Sequence, residues 1–432
     1  MMRRNITNDL KKWKNSSFRK PLIVYGARQI GKTYSILEFG KQEYANVLYC
    51  NFEDNAELAA IFEQNLNPER IVKSLSAMFS VQVSPRNTLI FFDEIQACER
   101  ALTSLKYFNE TANDYHIIAA GSLLGLAVNR GRFSFPVGKV DMLNMYPMNF
   151  EEFLSAMGND LLIDRIKECC KDYSPMELPL HTKAMELYRT YLVVGGYPDA
   201  VNRFVQTGDF NLVRAAQATI SNAYIADMTK YATPSDTVKS IAVYNSIYSQ
   251  LAKETTKFQY SVVDKKARSK SYEMALEWLK AANVVLPSVK ITEGKMPINL
   301  YEEQSTFKIY YSDVGLFSMK SNMPAEKVIQ NIDLSDKARG TLAECYVANE
   351  LTSKGIPLHY WESQNSAEVD FILQNDDGVI PLEVKSSENV RSKSLKTYTD
   401  KYNPPYAIRI SSRNFGFENG IKSTPLYAIF CL

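Results

Sequence analysis

The sequence predicts a multidomain α/β chain that opens with a doubly wound parallel sheet. Three observations predict it. Strand-like and helical segments alternate over residues 1–150. The strand candidates 22–25 (LIVY), 88–93 (TLIFFD) and 116–121 (HIIAAG) are almost continuously apolar. Such runs mark strands buried on both faces between helix layers. From about residue 150 the strand runs disappear and helical periodicity takes over, as in NFEEFLSAM and KAMELYRTYLVVGG.

Residues 1–17 read as a polar, basic helix. Strand candidates 46–52 (NVLYCNF) and 139–146 (KVDMLNMY) complete the first sheet, with helices expected at 32–40, 55–63, 68–80 and 99–112. A helical stretch covers 150–230. Helices at 237–253 and 268–282, followed by short strands and turns, give the order of a winged helix-turn-helix. A polar break with Pro324 spans 321–336. The tail then shows a helix at 337–354 and strands at 358–362, 367–373, 380–386 and 405–411. The expected domains are therefore 1–150, a helical lid at 151–235, a winged helix at 236–320, and an α/β tail at 333–432.

The 432 residues are 45% apolar and 23% charged, enough apolar material for more than one core. With 50 basic and 48 acidic residues, the net charge of +2 neither demands nor excludes nucleic acid. A local basic face can sit on a neutral chain. Six scattered cysteines without CxxC spacing, and three histidines, argue against a zinc site and a disulfide framework. The start, MMRRNITNDLKKWKNS, lacks the apolar centre of a signal peptide. No apolar run reaches the roughly 18 residues of a membrane span. A cytoplasmic location without a membrane partner is the expectation.

GARQIGKT fits G-x-x-x-x-G-K-[ST], and it follows an apolar strand and opens a helix. Gly26, Ala27, Arg28, Gln29, Ile30, Gly31, Lys32 and Thr33 are the candidate nucleotide loop. Its backbone amides and helix N-terminus would face phosphate oxygens. Lys32 would reach the terminal phosphates of ATP, and the Thr33 hydroxyl would ligate Mg2+. In LIFFDEIQ, Asp93 stands where a magnesium carboxylate is required, and Glu94 can polarise the attacking water. Ser122, ending HIIAAGS, is a candidate sensor of the γ-phosphate or an N-cap for the LLGLAV that follows. Arg130, Arg132 and Lys139 form either a solvated basic loop or the source of an arginine finger. A finger acting in trans requires a homo-oligomer.

With these motifs in place, the chain resembles the prokaryotic AAA-superfamily ATPases that carry a C-terminal domain of unknown function with a restriction-endonuclease-like (PD-(D/E)XK) core. The resemblance covers nearly the whole length. It rests on GARQIGKT, LIFFDEIQ, AAGS, MYPMNFEEF, YLVVGGYPDAV, YIADMTKY, FKIYYSDVGL and AEVDFIL…IPLEVK. It implies an ATPase core, a helical and winged-helix middle, and a nuclease-like tail. Members often carry arginine where this chain has Lys139. That departure turns attention to Arg130 or Arg132 as the finger.

In the tail, AEVDFIL and VIPLEVKS flank the turn sequence Asn375-Asp376-Asp377-Gly378. If Gln374 faces Val379, Asp370 falls opposite Glu383 and Glu368 opposite Lys385, all four on one face. Two facing carboxylates repel, and a divalent cation would relieve them. The nuclease-like resemblance then implies Asp370, Glu383 and Glu344 as magnesium ligands and Lys385 as the residue that orients water. A plain polar hairpin with a Glu368–Lys385 ion pair is the alternative. GGYP (195–198) reads as a helix terminator. Lys265, Lys266, Arg268 and Lys270 stand at a helix entry, suited to a DNA groove or simply solvated.

The functional expectation is ATP hydrolysis that drives or gates an action on nucleic acid, DNA before RNA, with magnesium-dependent cleavage by the tail. Two rivals are a nucleotide-dependent switch or scaffold with a non-catalytic tail, and a chaperone-like motor acting on protein.

Overall fold

The structure is a computed structural model that describes residues 2–122, 135–231, 233–253, 257–264, 269–363, 367–386 and 393–432. The chain divides into two compact units. One is Arg4–Tyr146 with Ala281–Asn283. The other is Met1–Arg3 with Pro147–Lys280 and Val284–Leu432.

The first unit runs α1 (Ile6–Asn15), β1 (Leu22–Tyr25), α2 (Lys32–Glu43), β2 (Asn46–Asn51), α3 (Leu58–Gln64) and α4 (Pro68–Phe79). Then come β3 (Thr88–Asp93), α5 (Glu99–Thr111), β4 (His116–Gly121) and β5 (Asp141–Asn144). The strands form one sheet in the order β2-β3-β4-β1-β5, every pair parallel. Strands β3 and β4 are buried at every residue, which is why their sequences are unbroken apolar runs. One core packs Ile23, Leu48, Ile90, Phe92 and Ile117 of the sheet against Phe62, Leu75 and Leu105 of the helices. Helix α1 buries Ile6, Leu10 and Trp13, one stripe at helical spacing, and exposes Lys11 and Lys12. Because β4 lies between β1 and β3, the carboxyl ends of these three strands come out side by side. In open α/β sheets that edge is where ligands bind.

The second unit begins with helices: α6 (Phe150–Ala156), α7 (Asp160–Asp172), α8 (Leu178–Val194), α9 (Pro198–Thr207), α10 (Phe210–Tyr231), α11 (Pro234–Leu251), α12 (Tyr260–Val263) and α13 (Ser269–Ala281). GGYP does end α8 and start α9, but it is more than a terminator. The Gly196 amide donates to Asp313 Oδ2 at 2.6 Å. A Cβ on Gly196 would lie 2.0 Å from the Met148 carbonyl oxygen, so only glycine fits. The YLVVGGYP and YYSDVGL segments thus lock together. Asp313 lies wholly buried there, and burial pushes its carboxyl up to about 6 against the pull of the amides it accepts from.

Two sheets follow. The first joins β6 (Val285–Ile291), β7 (Glu302–Tyr311), β8 (His359–Glu362) and β9 (Glu368–Val369) in the order β7-β6-β8-β9. Between β7 and β8 come α14 (Val314–Lys320), α15 (Ala325–Gln330) and α16 (Asp336–Ser353). The second sheet joins β10 (Phe371–Asn375), β11 (Gly378–Val384), β12 (Ala407–Ser411), β13 (Gly416–Glu418) and β14 (Ile421–Pro425) in the order β10-β11-β12-β14-β13. Helix α17 (Lys393–Tyr402) lies between β11 and β12 in sequence. The hairpin expected to be a wing, β6–β7, therefore shares a sheet with the first two strands of the tail, and β6 pairs with β8 in parallel. The strands β8 and β9 of the 333–432 stretch thus belong to the sheet that begins before the break at 321–336, so that stretch is not a self-contained piece of sheet. A shared core of Ile291, Ile298, Trp361, Val369, Ile372 and Tyr398 spans the same division.

The expected strand 367–373 is split at Asp370: β9 pairs with β8, and β10 pairs with β11. Asp370 Oδ2 accepts the Val384 amide at 2.7 Å. That side-chain bond takes the place of a ladder bond, and the chain changes sheets there.

Candidate functional site

The loop between β1 and α2 curls because three residues take positive φ: Gly26 at 143°, Gln29 at 64° and Gly31 at 92°. Gly26 has a second constraint. A Cβ there would lie 2.1 Å from the Met145 carbonyl oxygen at the end of β5. Helix α2 starts at Lys32 with no side-chain cap, which leaves its first amides for a ligand. Lys32 is buried, and its ammonium donates to the carbonyls of Gly26 (3.0 Å) and Ala27 (2.7 Å). The charge is thus already held inside the loop, where phosphate oxygens can replace the carbonyls.

Thr33 Oγ1 donates to Asp93 Oδ2 at 2.8 Å, so the hydroxyl and the carboxylate from β1–α2 and β3 meet at one point. The Tyr49 hydroxyl from β2 donates to the same oxygen at 3.1 Å. Burial, and then the neighbouring Asp93 carboxylate, push the Tyr49 phenol up to about 12, so it remains a donor. Asp93 Oδ1 accepts the Glu94 amide at 3.0 Å. Glu94 leaves β3 with φ 47°, a left-handed conformation that turns its side chain away from the strand line. Gln96 Nε2 then donates to Glu94 Oε2 at 2.5 Å. Ser122 follows β4 directly, next to the β1–β4 pair Tyr25–Gly121. Its hydroxyl is buried and has no hydrogen-bond partner among the described residues.

Tyr49, Gln96 and Arg4 take part in the site although no local motif announces them. Arg4 is buried, and its guanidinium donates to Ile30 O (2.6 Å) and Tyr146 O (2.7 Å). It thereby ties the loop to the segment after β5. Its place in a basic N-terminal run hid it, because a charge run usually reads as a solvated face. Arg130 and Arg132 lie outside the described residues. Lys139 Nζ pairs with Glu110 at 2.9 Å. Lys265, Lys266 and Arg268 also lie outside the described residues, as does the Lys270 side chain.

In the tail, Phe371 pairs with Leu382 and Gln374 with Val379. The same register carries Asp370 to Glu383. Glu368 does not reach Lys385. It leaves with β9, and its carboxylate pairs with Lys308 of β7, an ammonium with no exposed surface. The expected Glu368–Lys385 pair is therefore corrected: Lys385, just past the end of β11, bonds Glu383 Oε1 through its Nζ at 2.6 Å. Lys308 also stands 4.8 Å over the Tyr360 ring. Burial works against its charge, but Glu368, Glu344 and Asp370 together hold its pKa above the ordinary lysine value.

Glu344 on α16 accepts the Tyr310 hydroxyl at 3.4 Å. Burial raises its carboxyl, and Lys308 offsets part of the effect. Burial, then the charges of Glu383 and Glu344, push Asp370 well above the carboxylate range. Two ammonium groups thus serve a cluster in which Asp370 and Glu344 favour the neutral acid. Among the described residues, no three carboxylate, imidazole or thiol groups are grouped to hold a metal ion. Asp370 gives one oxygen to a backbone amide and Glu383 gives one to Lys385. This donor set does not fit a ready-made divalent site.

The loop, the β3 carboxylates and the strand order define the class of the first unit. Residues 18–154 match the family model described as an AAA domain, and the unit is a P-loop domain of that type. Residues 185–327 and 339–429 match two further models, each described as a domain of unknown function (DUF8612 and DUF4143). Among curated proteins, none matches the chain. Similar solved structures include a Walker-type ATPase of Pyrococcus abyssi, at 14% identity and TM-score 0.45, covering 74% of this chain and 96% of that one. Another is the ORC2 protein of Aeropyrum pernix with ADPNP and ADP, at 14% identity and TM-score 0.41, covering 77% and 93%. The Aeropyrum pernix ORC1 protein in complex with DNA follows at 10% identity and TM-score 0.30, covering 74% and 91%. No helix among the described residues is long and apolar enough to cross a membrane.

Proposed function

We propose that this chain binds and hydrolyses ATP at the loop Gly26–Thr33. The observation that carries the reading is the Thr33–Asp93 hydrogen bond with Glu94 turned out beside it. Lys32 and the loop amides would bind the β- and γ-phosphates. Thr33 and Asp93 supply the two oxygen groups that would hold a magnesium ion, whose chemistry is to offset phosphate charge. Glu94, its carboxylate steadied by Gln96, would take the proton of the attacking water. Ser122 has an unspent buried hydroxyl where a γ-phosphate contact belongs. Calorimetric titration with ATP tests the assignment: Lys32→Ala abolishes tight binding, and unchanged affinity overturns it.

The nucleotide cycle would drive or gate an action on nucleic acid, DNA before RNA. Support comes from the winged-helix order of α11, α13 and the β6–β7 hairpin. The restriction-endonuclease-like reading of the tail is supported by the approach of Asp370, Glu383 and Lys385. One observation favours the second reading, a nucleotide-dependent switch with a non-catalytic tail: the buried Lys308 ammonium already pairs with Glu368 and stands beside Glu344 and Asp370, where a cation would sit. Incubation of plasmid DNA with magnesium, with and without ATP, separates the two. Cleavage supports the first, and intact plasmid with nucleotide-dependent assembly supports the second.

A further inference from the structure

In the second unit a cleft of about 400 Å3 opens between α8, the α15–α16 segment and the ends of β11 and β12. Its size falls in the range of small-molecule sites, roughly 300–1,000 Å3. Met185, Leu192, Leu342 and Leu426 give it apolar walls. Two guanidinium groups line it as well, Arg189 from α8 and Arg339 from α16, and no carboxylate does among the described residues.

Neither arginine has used all of its donors among the described residues. Arg189 is half-buried and makes no hydrogen bond or ion pair among the described residues. Arg339 gives Nη2 to Asp336 at 2.5 Å, but Asp336 is 95% exposed, and such a surface pair adds little. Arg339 Nε is buried and has no acceptor. A donor withdrawn from water without an acceptor is costly, and two guanidinium groups that share one exposed carboxylate among the described residues keep a net positive charge that attracts an anion. His181 is a fixed wall. Its two ring nitrogens meet the Tyr427 hydroxyl (2.9 Å) and the Ser412 carbonyl (3.1 Å), so it offers nothing further.

We propose that this cleft binds a small organic phosphate, a phosphomonoester on an apolar body, with Arg189 and Arg339 as its phosphate ligands. Two guanidinium forks match the charge of a dianion better than that of a single carboxylate, and their planar donors suit phosphate oxygens. The apolar walls cover the organic body. All the lining residues belong to the second unit, and the nucleotide loop belongs to the first.

The probe is 1-naphthyl phosphate, titrated into the full-length chain and followed by its fluorescence. Saturable binding is expected, with inorganic phosphate and 1-naphthol each at least ~10-fold weaker, since each lacks half of the recognised chemistry. Arg189→Gln and Arg339→Gln should each weaken binding ~10-fold or more while ATP affinity stays unchanged. Lys32→Ala should leave the probe bound. Displacement by thymidine monophosphate but not by a 5′-phosphorylated oligothymidylate identifies a free ester. Displacement by the phosphorylated oligonucleotide and not by its 5′-hydroxyl form identifies a strand end. No saturable binding, binding unaltered in both arginine variants, or loss of binding in Lys32→Ala overturns the proposal.

Discussion

Replacing Lys308 with methionine removes one charge from the tail and keeps the apolar stem. The ammonium is fully buried, bonded to Glu368, and favoured by Glu344 and Asp370 as well. Without it, Lys385, bonded to Glu383, and Lys337, whose charge reaches Glu344, are left to the cluster. Removing one partner of a fully buried pair costs about 3–5 kcal/mol, because the other charge stays behind uncompensated, and the 31% exposure of Glu368 puts this pair at or below the lower end. Urea unfolding at pH 8 should show a loss of that size. The sign of the pH effect follows from the carboxylates. Asp370 and Glu344 are raised above their ordinary values in the folded state, so folding favours their protonated forms. Their contribution is present at low pH and fades as pH rises. The deficit should therefore shrink toward pH 5. Adding Glu368→Gln to Lys308→Met should recover most of it, since the orphaned charge goes too. Manganese should stabilise the Lys308→Met protein and not the wild type. A loss below about 1 kcal/mol, or equal stabilisation of both proteins by manganese, would refute the idea that Lys308 takes the cation's place.

Three further outcomes are expected. Gly26→Ala should weaken both ATP binding and thermal stability, because the new methyl meets the Met145 carbonyl at 2.1 Å; an unchanged melting curve and affinity would contradict it. Glu350 is wholly buried, accepts the Phe150 amide at 2.8 Å, and is pushed by burial from 4.5 to about 8. The folded state thus holds a proton the unfolded chain releases, and stability is lost as pH rises through about 8. Glu350→Gln should remove up to about 1.4 kcal/mol per pH unit from that decline, measured by urea unfolding at pH 6, 7 and 8. If Arg130 or Arg132 acts on a neighbouring subunit, mixing Arg132→Ala with Glu94→Gln chains should restore part of the ATPase rate; a mixture no faster than either variant alone removes the trans arrangement.

The first unit was legible because its signals are local. A parallel strand covered on both faces must be apolar throughout, as 88–93 and 116–121 are. A phosphate loop needs its glycines at set positions between a strand and a helix. The hairpin register of Gln374 and Val379 also followed from turn chemistry. What local pattern does not carry is partner choice across long separations. Nothing near Glu368 announces Lys308, 60 residues earlier on another strand, or that Asp370 will take the Val384 amide and send the chain into a second sheet. The same holds for Arg4, whose acceptors Ile30 and Tyr146 are far along the chain. A lysine in the middle of an otherwise apolar strand, as in FKIYY, was the one available hint, since a buried ammonium demands a counter-charge.

Lys32 would hold the nucleotide and Glu94 would take the proton of the attacking water, and one substitution separates these roles. Glu94→Gln keeps the shape of the side chain and removes the base. ATP affinity by calorimetry and phosphate release under single-turnover conditions should be measured on the same preparation. Near-normal affinity is expected, with hydrolysis ~10²–10⁴-fold slower. Hydrolysis at the wild-type rate in Glu94→Gln, with Asp93→Asn alone stopping turnover, would contradict it.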